Sequence, residues 1–106
     1  MLFRSPGSGG SLQVTGGSLQ DTGGSIVGNS AIGGSGGGDG EGGGVANSGT
    51  ASFNGVLISL NAADGGSGGS GYGGGLYIAT GAITTLKNTQ VVGNSASTAG
   101  NNTYES

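Results

Sequence analysis

The sequence predicts an all-β repeat, and three observations carry that prediction. Nearly the same phrase occurs twice, SIVGNSA at 25–31 and QVVGNSA at 90–96, with a looser copy, LISLNAA, at 57–63. Glycine supplies 30 of 106 residues and charged residues only 7%, against averages of about 7% and about a quarter. Between the glycines, apolar residues alternate as they do in strands that bury one face. Helix is disfavoured, because glycine in a helix interior costs about 1 kcal/mol and no three-turn apolar stripe is free of it.

The elements follow in order. Residues 1–11 are a Gly/Ser-rich N-terminal segment. A first repeat, 12–32, offers Leu12, Val14, Leu19 and Ile26 to an interior. A glycine-rich loop, 33–41, leads to a second repeat, 42–63, which opens on GGGVAN with Val45. Its TASF places Ala51 and Phe53 on one face; in VLISLN, Val56, Ile58 and Leu60 face one way, Leu57 and Ser59 the other. A second loop, 64–72, leads to the third repeat, 73–97, whose GGGLYI begins 31 residues after its counterpart. There Leu76 and Ile78 share a face opposite Tyr77, and Val91 lies further on. Ile83 and Leu86, three apart in AITTLK, imply a bend between two interior residues. Residues 98–106 form a polar tail.

The repeat has a measurable register. Asn29, Asn61 and Asn94 are 32 and 33 residues apart; Ile26, Ile58 and Val91 each stand three residues before the Asn, and Ala31, Ala63 and Ala96 two after it. A period of this size marks a solenoid, propeller or array. Without its loop, each repeat keeps roughly 22 residues, a length that three short strands and three corners fill. That is the rung of a parallel β-helix, in which like residues stack at about 4.8 Å. Ile26, Ile58 and Val91 then form an interior aliphatic ladder. The three Asn form another at a corner, where their amides bond along the stack and their tolerance of left-handed backbone is useful.

The segment GGGLYIATGAITTLKNTQVVGNSAS (73–97) resembles the right-handed parallel β-helix repeats of bacterial surface proteins: polymorphic outer-membrane proteins, autotransporter passengers and pectin-lyase-like repeat proteins. Gly73–Leu76 and Gly42–Val45 match the opening of such rungs; Val91–Ala96 and Ile26–Ala31 match their close. FNGV at 53–56 departs from the Phe-x-x-Asn of the polymorphic group. The resemblance implies a right-handed parallel β-helix of about three rungs, rungs 12–32, 42–63 and 73–97, in an extracellular or outer-membrane, surface-displayed protein. It carries over no active site.

Little chemistry is offered. Arg4 and Lys87 are the sole cations and the net charge is −3, whereas phosphate neutralisation needs several Lys or Arg; nucleic acid is not an expected partner. Zero Cys and zero His remove disulfides and the usual soft metal ligands. Asp39, Glu41 and Asp64, in successive loops, are the candidates for loop-level Ca²⁺ contact, but GSGGGDGEG (34–42) fails the calcium nonapeptide at Ser35 and Glu41. The same acids lack the rigid separation that glycoside chemistry requires. No G-K-[ST] follows the glycine runs, so they are not a nucleotide loop. Thr80, Thr84, Thr85 and Thr89 cluster in the last repeat without counterparts earlier, so no ice-binding array is expected. No cofactor is expected.

MLFRSPGSGG lacks the apolar run of about 7–15 residues that a secretion signal needs, and no stretch reaches the roughly 20 apolar residues that span a bilayer. Export address and anchor are expected elsewhere, and no membrane insertion by this segment. The expected function is structural and adhesive: a non-catalytic segment flanked by further rungs, with host-surface or polysaccharide ligands. The alternatives are a flexible Gly/Ser-rich spacer and a non-catalytic part of a carbohydrate-active β-helix enzyme.

Overall fold

The computed structural model describes residues 2–5, 8–33 and 37–106. Residues 34–36 of the loop 33–41, and residues 1, 6 and 7 of the N-terminal segment, lie outside the described residues. The N-terminal segment and the first repeat contribute β1 (Leu2–Ser5), β2 (Ser8–Val14), β3 (Ser18–Thr22), β4 (Ser25–Val27) and β5 (Ser30–Ile32). The loop 33–41 ends in β6 (Gly40–Glu41), and the second repeat contributes β7 (Val45–Asn47), β8 (Thr50–Asn54), β9 (Leu57–Ser59) and β10 (Ala62–Asp64). The loop 64–72 ends in β11 (Gly71–Tyr72), the third repeat contributes β12 (Leu76–Ile78), β13 (Ile83–Lys87), β14 (Gln90–Val92) and β15 (Ser95–Ala96), and β16 (Thr103–Glu105) follows in the tail.

Strands pair with their counterparts one repeat away. Three sheets have three strands each, β3-β8-β13, β4-β9-β14 and β5-β10-β15; a seven-stranded sheet runs β11-β6-β2-β7-β12-β16, with β1 on β2. All pairings are parallel except β1 with β2. The register is regular: Leu19, Ala51 and Thr84 lie in one column, Asp21, Phe53 and Leu86 in the next. The pairing establishes an all-β molecule of parallel strands in four separate sheets, rather than the closed three-stranded rung read from the sequence. The middle repeat holds four short strands, because its corners at Gly55 and Leu60 split the expected runs.

The core lies where the sheets face one another. Leu12, Val14, Ile26, Val45, Ala51, Phe53, Val56, Ile58, Leu76 and Ile78 form one buried cluster, with Leu19 and Val91 packed against it. The middle repeat is the most completely buried, since the others cover it on both sides. Each large side chain so enclosed contributes about 1.5–3 kcal/mol.

Three residues expected inside are not. Leu60 is 67% exposed, because it takes a left-handed backbone (φ 57°) at a corner that turns its side chain outward. Ile83 and Leu86 lie on one unbroken strand, not on either side of a bend. Ile83 shares a column with the exposed Thr50 and points out; Leu86 shares one with the buried Phe53 but remains partly exposed because no strand covers it.

The glycine loops pack against each other. Gly33 N donates to Asp64 O at 2.8 Å, Gly66 N to Gly38 O at 2.9 Å, and Gly40 N to Ser70 O at 2.8 Å. A β-carbon on Gly33 would collide with the Gly38 carbonyl, so the close backbone approach requires glycine.

Candidate functional site

The repeated corner is held by a continuous chain of amides. Asn29 N and Nδ2 both donate to Asn61 Oδ1, at 2.9 and 3.1 Å. Asn61 N and Nδ2 donate to Asn94 Oδ1, both at 2.9 Å. The second hydrogen of each amide turns back: Asn61 Nδ2 also donates to Ile26 O, and Asn94 Nδ2 to Ile58 O. Asn61 is 1% exposed with every polar group engaged, which avoids the cost of an unsatisfied buried amide. Ile26, Ile58 and Val91 form a single column beside it, Ile58 fully buried and Val91 partly so.

A fourth member comes from the tail: Asn94 N and Nδ2 donate to Asn102 Oδ1 at 3.1 and 3.2 Å. Spacing hid it, since Asn102 lies 8 residues from Asn94 instead of 33. Sequence reasoning also missed Asn47, fully buried in the core. Its Nδ2 donates to Ile83 O and Thr84 Oγ1, and its Oδ1 accepts from Gly49 N.

The acidic candidates are dispersed. Asp39 accepts from Ser70 N at 2.9 Å, tying one loop to the next. Asp64 is exposed on β10, opposite Ile32. Among the described residues, no group of three or more Asp and Glu side chains converges as a metal site would. Asp64 borders a shallow hollow of about 290 Å³ lined by Ala62, Ala63, Ser95, Ala96 and Ser97.

Glu41 sits elsewhere, against tyrosines. On the outer face of the large sheet Glu41 is in register with Tyr72, and Tyr77 with Tyr104. The rings of Tyr72 and Tyr104 are 4.8 Å apart and tilted by 36°; those of Tyr77 and Tyr104 are 5.8 Å apart and stacked. Such offset pairs contribute about 0.5–1.5 kcal/mol each beyond burial. Burial raises the Glu41 pKa, the Tyr77 hydroxyl donating to the carboxylate draws it back, and Asp39 raises it again. Burial likewise raises the Tyr77 pKa, opposed by a bond from Ser106. The result is an aromatic strip with one carboxylate, suited to hydrogen-bonding and stacking but holding no nucleophile–base pair. The chain matches no family model, no curated protein and no solved structure.

Proposed function

We propose that the repeats are successive turns of a right-handed parallel β-helix, and that the chain is a structural, adhesive segment of a surface-exposed or secreted protein, without catalysis of its own. The observation that supports this best is the amide chain Asn29–Asn61–Asn94. A corner repeated in register with buried, fully bonded side chains has a purpose in a stacked rod and none in a flexible spacer. A far-UV circular dichroism spectrum followed by a thermal melt tests it. A strand-type minimum and a cooperative melt, both lost in Ile58→Asp, are expected; a coil spectrum without a transition favours the spacer.

The adhesive part rests on the tyrosine strip. Flat aromatic faces beside a carboxylate fit the apolar faces and hydroxyls of a polysaccharide. Binding of neutral glycans to immobilised protein, weakened in Tyr72→Ala and unchanged in Leu57→Ala, tests that ligand class.

A further inference from the structure

The sequence holds three tyrosines, Tyr72, Tyr77 and Tyr104, and the fold gathers all three into one strip. It holds no Cys and no Trp. Those are the side chains that otherwise surrender an electron ahead of a phenol, and here neither competes. A one-electron oxidation of this chain therefore settles on the tyrosines.

Tyr104 touches both of the others, but it meets them differently. Tyr77 and Tyr104 are partners in register on the neighbouring parallel strands β12 and β16. Their rings are stacked, with 5.8 Å between centroids and 13° between planes. The Tyr72 ring is closer, at 4.8 Å, but it is tilted by 36° and its backbone is aligned with Ala99 instead. For the in-register pair, the ladder holds the two strands about 4.8 Å apart, so the rings can meet by side-chain rotation alone. All three tyrosines are only partly buried, within reach of a small oxidant.

Tyr77 also has a place to send its proton. A phenol that loses an electron becomes a strong acid, so a base already bonded to its hydroxyl eases the oxidation. The Tyr77 hydroxyl donates to the Glu41 carboxylate. Partial burial raises the Glu41 pKa above that of an exposed glutamate, which makes it the better proton acceptor.

We propose that Tyr77 and Tyr104 are a cross-linking pair, which a one-electron oxidant converts into an intramolecular dityrosine. Tyr77 gives an electron to the oxidant and its proton to Glu41. Tyr104 gives an electron to the oxidant and its proton to water. The two phenoxyl radicals combine through ring carbons ortho to oxygen, forming one C–C bond. Each of those carbons then loses its hydrogen as a proton, and each phenol oxygen regains one. In sum the oxidant takes two electrons, two protons are released, and two C–H bonds give way to one C–C bond. The cross-link ties β16 covalently to β12. None of this requires the strip to bind a glycan.

The test irradiates the full chain, at high dilution, with tris(bipyridine)ruthenium and persulfate as the one-electron oxidant. Dityrosine fluorescence and a monomer mass lowered by two hydrogen atoms are expected. Trypsin cuts after Lys87, which leaves Tyr72 and Tyr77 on one fragment and Tyr104 on the next. The oxidised chain should therefore stay joined across that cut on a denaturing gel. Tyr77→Phe and Tyr104→Phe, which keep the rings, should lose the joined product, whereas Tyr72→Phe should retain it. Urea that unfolds the chain should suppress it, and Glu41→Gln should slow its formation severalfold.

The proposal is overturned if no joined monomer forms, if only dimers form, if the product survives Tyr77→Phe, or if urea leaves its yield unchanged. An unchanged rate in Glu41→Gln overturns the role of the carboxylate. Should Tyr77→Phe fail to fold, tandem mass spectrometry of the wild-type product locates the bond; attachment at Tyr77 supports the proposal and attachment at Tyr72 overturns it.

Discussion

Gly75 and Asn94 are fitted to each other: the glycine hydrogen faces the asparagine amide, and a β-carbon there would come within 2.7 Å of Nδ2. The same carbon would meet Val91 Cγ1 and the Asn102 carbonyl at 2.7 Å. The repeated glycines of the third repeat are therefore the negative image of its corner.

Gly75→Ala should destabilise the fold by about 1–3 kcal/mol, the usual cost of forcing atoms into a filled interior. Urea denaturation should show a lower midpoint with an unchanged slope. Gly68→Ala, where a β-carbon meets nothing within 4 Å but φ is +81°, should cost less, limited to the left-handed penalty of about 1–2 kcal/mol.

Asn61→Leu removes the acceptor of Asn29 N and the side-chain donor to Ile26 O, and leaves Asn94 Oδ1 only its bond from the backbone N of residue 61. Leaving buried polar groups unpaired costs about 1–3 kcal/mol each, so loss of the cooperative melt at room temperature is expected. Asn61→Asp should behave differently with pH. Its carboxylate would face two acceptor oxygens in a buried site, so its folded pKa rises above the unfolded value. The variant should be most stable when the acid is protonated and lose stability as pH climbs through the ordinary carboxylate range.

Leu60→Gly should stabilise the chain. Leu60 holds the left-handed position that glycine holds one repeat away on either side, at Gly28 (φ 73°) and Gly93 (φ 68°), and its side chain is mostly in water. Relief of about 1–2 kcal/mol of backbone strain is offset in part by the greater unfolded freedom of glycine. A modest rise in melting temperature is the expected result.

Glu41 gives the wild type a pH dependence of its own. Its pKa is raised in the folded chain, chiefly by burial, so the folded state holds its proton longer than the unfolded one. Stability should fall as pH rises past the ordinary glutamate range and level off once Glu41 is ionised in both states. Glu41→Gln should flatten that part of the stability–pH curve, measured by thermal melts at constant ionic strength.

Much of the architecture was legible because its signals are local and periodic. Alternation in TASF, LIS and LYI marks strands whose inward residues, Ala51, Phe53, Ile58, Leu76 and Ile78, are buried. The 31- to 33-residue offsets are those at which the strands pair. What resisted reading depends on position in the stack. Leu86 occupies an inward column yet is exposed because no later layer covers it; Leu60 interrupts an apolar alternation because the backbone reverses there. The tyrosine strip depends on β12 pairing with β16 at an offset of 27 residues instead of 31 to 33, so no period pointed to Tyr104 beside Tyr77. Asn102 escaped for the same reason.

The hydrogen bonds that join one repeat to the next, amide chain included, are donated in both senses, and each bridges adjacent layers. Tension applied between the first repeat and the last would load those layers in series, so they yield one after another. Each rupture would release about 32 residues of slack, or about 110 Å at 3.3–3.6 Å per residue. A mechanical pull would therefore meet a ratchet of small, equal steps rather than a single breaking point.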